Sequence, residues 1–234
     1  NGSDESTTFT DESGKTWTVY DNAQLDTSSQ QFGSASGLFD GSSDYISTPD
    51  TNDVYFSTAD YTIDTWISFS SLPSNGNKMD IFAQRLDGTR LQNLYAVGTS
   101  NSNELYIKYD AKNQGADINI SGLVTCVPGT WYHVALVSYG NDFTIYWDGS
   151  SVAAVTDTDP VANIVGSVRL GYMAGGVYFN GRLDEFRITK GAARWVDEFT
   201  PPSSEYIPEV ETATPTITNT PTITNTPTIT NTPT

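Results

Sequence analysis

Residues 129–137, GTWYHVALV, and 143–152, FTIYWDGSSV, decide the fold. Each is a run of aromatic and β-branched residues, and the second carries the turn pair Asp148-Gly149. Such runs read as strands, and Asp-Gly supplies the left-handed backbone that a tight hairpin needs. The same grammar extends outward in both directions. Further β-rich segments are 16–20, 37–39, 45–47, 62–69, 80–84, 93–97, 104–109, 117–120, 167–170 and 181–188, with Asp40-Gly41, Asn75-Gly76, Asp87-Gly88 and Asn180-Gly181 between them. Strands recurring roughly every 10–15 residues, without a long amphipathic helix, predict an all-β sandwich or barrel. Only residues 190–195 look helical.

Composition narrows the function. The 234 residues carry 11 Lys+Arg and 28 Asp+Glu, a net charge of −17. Nucleic acid needs cations to neutralise phosphates, and anionic lipid needs basic clusters, so both are excluded as partners. Divalent cations and neutral ligands are permitted. One cysteine, Cys126, forbids an intrachain disulfide, and one histidine, His133, with it cannot build a zinc site. No run of about 18 apolar residues is present, so membrane insertion by a helix is not expected. The small polar residues and 12% aromatics point to an extracellular or cell-surface β protein. The chain opens Asn-Gly-Ser and stops partway through a repeat, so a processed or partial chain is expected.

That repeat is the second feature of the sequence. From Thr214 the unit Thr-Pro-Thr-Ile-Thr-Asn recurs to the end, and no charge follows Glu211. Threonine holds every even position from 212 to 234. In an extended chain side chains alternate faces, so one face would be all threonine. Two readings stay open: a solvated, O-glycosylated stalk, or an ordered fibre element that stacks with its copies. Thr214, Thr216, Thr218, Thr220, Thr222, Thr224, Thr226, Thr228 and Thr230 are the candidate attachment points. The organisation is a lead (1–15), a β domain (16–202), a linker (203–211) and the repeat tail (212–234).

Six segments occur in a recognisable order: TWTVYDNA at 16–23, FGSASGLFDGSSDYIS at 32–47, FSTADYTIDTWISF at 56–69, then GTWYHVALV, FTIYWDGSSV, and FNGRLDEFRITKGAARW at 179–195. This resembles the laminin-G-like group of the concanavalin A-like lectin/glucanase jelly rolls, as found on bacterial surface and phage-tail proteins. The resemblance implies an antiparallel two-sheet jelly-roll sandwich with its first and last strands adjacent, followed by an extended low-complexity tail.

It also frames the chemistry. Glucanases of this superfamily place Glu-x-Asp-x-x-Glu on one strand face, and retaining hydrolysis needs two carboxyl groups about 5–5.5 Å apart. That motif is absent. Asp60, Asp64, Asp184 and Glu185 are the nearest carboxylates, and Asp184 and Glu185 are neighbours pointing to opposite faces, so no catalytic residues are assigned. Many family members bind Ca²⁺. If first and last strands are neighbours, Asp40, Asp44 and Asp184 would share a structural calcium ion. For sugars, Tyr172 and Tyr178 flank Ala174-Gly175-Gly176 in a loop, and Tyr106 and Tyr109 take opposite faces of one strand, with Tyr109 the third candidate. Trp66, Trp131 and Trp195 read as packing residues. The expected function is a non-enzymatic surface or fibre protein whose head contacts glycans or neighbouring subunits. The alternative is a carbohydrate-binding module of a larger secreted enzyme, with the repeat as linker.

Overall fold

The computed structural model describes residues 2–206. Within them the chain forms two seven-stranded sheets. The first runs β1 (Thr18–Tyr20), β4 (Tyr45–Thr48), β13 (Val168–Leu170), β6 (Lys78–Arg85), β7 (Arg90–Gly98), β8 (Glu104–Asn113), β9 (Ala116–Thr125). The second runs β12 (Ser150–Thr156), β11 (Asp142–Trp147), β10 (Trp131–Tyr139), β5 (Tyr61–Phe69), β16 (Asn180–Lys190), β3 (Ser36–Asp40), β2 (Gln24–Asp26). A small ribbon, β14 (Tyr172–Met173) and β15 (Val177–Tyr178), links β13 to β16. All strand pairs within these sheets are antiparallel. The expected all-β sandwich is what forms, with β3 and β16 paired as neighbours. The helical reading of 190–195 is wrong. β16 continues to Lys190, Gly191 takes φ 85°, and the chain then runs on without helix.

Strand alternation explains the core. On β5, Tyr61, Ile63, Ile67 and Phe69 face inward, and on β10 Val134 and Leu136 do. From the first sheet Phe82, Leu94, Ile107 and Tyr109 meet them. The intervening residues Asp64, Trp66, His133, Ala135 and Val137 therefore point out of the sandwich. They are nonetheless buried, because residues 191–206 cross that face as a strap. Ala193, Trp195 and Phe199 pack on Ala135, Val137 and Tyr146. The Trp195 and Phe199 rings stack at 4.0 Å, with His133 edge-on to both. Gly149 makes this approach possible. It sits at φ 80° in the β11–β12 turn, and a Cβ there would lie 1.8 Å from the Phe199 carbonyl oxygen.

One polar cluster lies under the strap. Arg187 donates to both oxygens of Asp64, at 3.0 and 2.8 Å. The Tyr206 hydroxyl bonds Asp64 and stands 3.0 Å from His133 Nε2, and the Arg187 guanidinium lies 3.7 Å from the Tyr206 ring centroid. A bulge in β16 sets this up. Asp184 pairs with Trp66 and Arg187 with Asp64, so three steps on β16 match two on β5. The extra residue lets Asp184 and Arg187 reach the same face despite their odd separation. Glu185 absorbs the distortion at φ 51°.

The outer face of the first sheet also buries an acid. Asp80 is fully buried, and Asn93 Nδ2 donates to its Oδ2 at 3.4 Å while Oδ1 has no partner among the described residues. Burial pushes its carboxyl well above the ordinary value of 3.8, and Asp110 adds to this. Folding thus favours the protonated acid. Stability from this group is full below pH 3.8 and is lost as pH rises through the folded-state value.

Two outcomes follow for unfolding experiments. Asp80→Asn keeps or raises the melting temperature at neutral pH and removes part of the decline with rising pH. An unchanged stability–pH curve would contradict this. Under urea, Arg187→Met costs about 3–5 kcal/mol, because Asp64 is left buried without its counter-charge, while Tyr206→Phe costs about 1 kcal/mol. Equal effects of the two would show that the ion pair does not anchor the strap.

Candidate functional site

Four tyrosines form a ladder beside the outer face of the first sheet. Tyr20 and Tyr45 are register partners on β1 and β4. Val19 points into the core, so alternation sends Tyr20 and Tyr45 outward. Their rings stack at 4.1 Å and 5°. β13 then places Arg169 beside Ser47 of β4. At Gly171, φ 87°, the chain turns away where a side chain would strike the Phe39 ring. The β14–β15 ribbon follows, with Gly175 and Gly176 at φ 112° and 81° in its tip, and Arg85 donates to the Ala174 carbonyl at 3.3 Å. Tyr172 and Tyr178 are opposite one another and stack at 4.7 Å. Tyr172 also lies 4.7 Å from Tyr45, and Arg169 stands 5.5 Å from the Tyr172 ring. The order is Tyr20, Tyr45, Tyr172, Tyr178, with Tyr20 41% exposed at one end.

The sequence-based candidates Tyr172 and Tyr178 are thus together, and the structure adds Tyr20, Tyr45 and Arg169. Those three were not legible because they depend on which strands become neighbours. Tyr109 is a correction. It lies on the inner face with Leu105 and Ile107, fully buried. Its hydroxyl meets that of Tyr61 at 2.9 Å and donates to Gln92 Oε1 at 3.3 Å. The outward tyrosine of β8 is Tyr106, 42% exposed.

The expected calcium set is also corrected. Asp40 and Asp44 are together, but their third companion is Asp21, with the three carboxylates within 4.8 Å. Asp40 pairs with Asn180 across the sheet. Asp184 lies four residues further along β16, roughly 13 Å away at about 3.3 Å per residue. It accepts instead from the Gln31, Phe32 and Glu185 amides at 2.9, 3.0 and 3.0 Å. Ca²⁺ takes about 6–8 hard oxygens, of which three carboxylates supply part. Here they already hold a turn. Asp40 accepts from Ser42, Ser43 and Asp44 amides, and Asp44 from those of Asn22 and Asp40. Burial disfavours the Asp40 anion, yet the Ser42 hydroxyl and these amides outweigh it and hold the carboxyl at about 2. Asp44 is raised by burial, with Asp40 and Asp21 adding repulsion. These acids adjoin Tyr20 and Tyr45 in sequence. By tying Asn22 to the β3–β4 turn, Asp44 fixes the first two rungs of the ladder.

The remaining carboxylates have structural partners. Asp60 accepts from the Gly140 amide at 2.8 Å, and Glu185 from that of Tyr206 at 2.6 Å. Glu185 and Asp184 border a groove of about 990 Å³ between residues 9–17 and β16, floored by Phe186 and Ile188. The Glu185 carboxyl is raised by burial, then by Asp184 and Glu205. Trp66 and Trp147 are buried, and Trp131 is partly so. The nine candidate tail threonines lie outside the described residues.

With this geometry in hand, known proteins are informative. No curated protein matches the sequence. Among solved structures, domain 4 of AbnA, a GH43 extracellular arabinanase from Geobacillus stearothermophilus in complex with arabinotriose, aligns with TM-score 0.59 and 19% identity, over 81% of this chain and 88% of that one. The binding domain of botulinum neurotoxin DC in complex with SialylT aligns with TM-score 0.56 and 14% identity, over 77% and 45%. The enzymatically active domain of bacteriophage CBA120 tailspike protein 2 aligns with TM-score 0.57 and 14% identity, over 76% and 29%. At these identities the likeness is one of fold. The laminin-G-like model described as the concanavalin A-like lectin/glucanases superfamily matches residues 40–195, more than half of the chain, and with the two-sheet topology above, this protein belongs to that family.

Proposed function

We propose that the described domain is a lectin-like glycan-binding module of an extracellular or cell-surface protein, and that the tyrosine ladder is its sugar platform. The observation that carries this is the ladder itself. Four phenol rings and one guanidinium gather at one surface, outside the hydrophobic core. Phenol rings offer flat apolar faces with polar edges, which suits the mixed surface of a sugar. Among the described residues, the end rings Tyr20 and Tyr178 each stack with one ring partner, Tyr45 and Tyr172. Arg169 supplies donors that meet hydroxyl or carboxylate oxygens. The glycan-bearing neighbours support the same reading, since arabinotriose and SialylT are named for two of them.

In the larger protein we read the Thr-rich repeat as a stalk or glycosylated fibre element that presents the head. A head joined to a linker within a secreted enzyme is the second reading. It is favoured by the AbnA alignment, in which this chain covers 88% of a domain of an arabinanase.

Binding is checked by affinity electrophoresis against neutral and acidic polysaccharides. Tyr20→Ala combined with Tyr178→Ala weakens retention about tenfold or more, about 1.4 kcal/mol, without lowering the melting temperature appreciably. Equal retention of variant and wild type on every bound polysaccharide would move the site elsewhere. Intact-mass measurement of the protein from its native source should show hexose increments localised to Thr214–Thr230 peptides; an unmodified tail would remove glycosylation from this reading.

A further inference from the structure

Strand alternation exposes a second ligand-sized feature on the opposite side of the molecule. On the outer face of the second sheet, Val137, Thr144 and Ala154 form one rung across β10, β11 and β12, and Tyr139, Asp142 and Thr156 form the next. The strap covers this face only in part. Where its rim passes, Trp195 and Val196 rise beside the two rungs and close a cavity of about 310 Å³. That is the lower end of the range for small-ligand pockets, about 300–1,000 Å³. Tyr139 is 56% exposed and Val196 55%. The Trp195 ring stacks on Phe199 and lies 6.0 Å from the Arg187 guanidinium, so it offers the cavity mainly its rim.

We propose that this cavity is a second, independent site for a neutral saccharide. The proposal rests on the glycan-binding reading above. The exposed Tyr139 ring and Val196, with the rim of the Trp195 indole, present apolar surface to the C–H face of a sugar ring. Asp142 and the Thr156 hydroxyl present oxygens at one end, on the Tyr139 rung. An ionised carboxylate accepts hydrogen bonds only, so it calls for a ligand rich in O–H donors. Thr156 already donates to one Asp142 oxygen, at 2.5 Å, leaving the other for a sugar hydroxyl. Charge selects the class further. Asp197 and Glu198 follow Val196 along the strap. Both raise the Tyr146 phenol, after the larger effect of burial. An acidic rim of this kind disfavours sialylated, sulfated or phosphorylated ligands. The ladder differs, since Arg169 and Arg85 stand beside it.

The two sites lie on outer faces of sheets packed back to back, so they face opposite directions. One domain then holds two glycan chains at once and bridges them, which raises avidity without new contacts.

The test is a titration of the ¹⁵N-labelled full chain with arabinotriose, mannotriose, cellotriose and xylotriose at millimolar concentration. We expect amides around Tyr139, Asp142 and Trp195 to shift as a set separate from those around Tyr20, Tyr45 and Tyr178. Tyr139→Ala with Asp142→Ala should weaken the first set at least tenfold and leave the second unchanged, at wild-type melting temperature. Both changes are at exposed positions. Shifts confined to the ladder overturn this site and leave the proposed function standing. Shifts confined to the cavity keep this site but overturn the ladder. No shift with any trisaccharide overturns both. As a further check, wild type should cross-link and cloud a solution of the best-bound soluble polysaccharide, whereas the Tyr139/Asp142 variant should bind it without clouding. Equal turbidity from the two would overturn bridging through this cavity.

Discussion

The outer face of the second sheet depends on the buried pair between Asp64 and Arg187. Asp64 sits on the central strand β5, fully out of water. A carboxylate there is costly unless it is paired and hydrogen-bonded. Arg187 with both its bonds, His133 and Tyr206 supply that. Each partner comes from a different piece of the fold: Arg187 from the last strand, His133 from β10, Tyr206 from the end of the strap. The balance favours the anion. Burial alone would raise Asp64, but His133 and Arg187 bring it below the ordinary carboxylate value. Its stabilising effect is therefore present above pH 3.8 and is lost as the pH falls below it. The strap is tied over this pair by Tyr206, by the Phe199 amide to the Gly149 carbonyl and by the Arg194 amide to the Thr62 hydroxyl.

Sequence reading reached the architecture because alternation and turn chemistry are local. The strand on 181–188 and the loop tyrosines Tyr172 and Tyr178 were legible on these grounds, whereas the pairing of β16 with β3 was foreseen only through the family resemblance. The misses share one cause, which is that register between distant strands is not local. Asp184 was placed beside Asp40 because β16 neighbours β3, but the pairing puts Asn180 opposite Asp40. The β16 bulge likewise places Asp184 and Arg187 on one face, against simple alternation. Tyr109 was chosen over Tyr106 when only the face of β8 distinguished them. Leu105, Ile107 and Ala111, apolar at even spacing from Tyr109, with charged Lys108 and Asp110 between them, carried the signal that it faces inward. The residues at 190–195 looked helical in composition, yet their aromatic ring is spent on packing with Phe199.

The same domain uses its two outer faces differently. On the first, hydrogen bonds among Asp21, Asp40, Asp44 and their serine and amide partners order a turn that holds Tyr20 against Tyr45. On the second, a strap held by ring packing and hydrogen bonds over a buried ion pair converts a flat sheet face into a covered half and an open half. In both, charged groups fix backbone segments while aromatic and hydroxyl groups meet the surroundings. The carboxylates weighed and set aside as catalytic in the sequence are among the fixing groups, as Asp64, Asp184 and Asp60 each show by their bonds.

The most direct measurement is a crystal structure of the domain soaked with a neutral oligosaccharide that it retains in electrophoresis. Glycan binding on the tyrosine ladder requires a sugar ring lying on the free face of Tyr178 or Tyr20, with a hydroxyl near Arg169. Sugar found only in the groove between residues 9–17 and β16, with the ladder bare, would contradict the account.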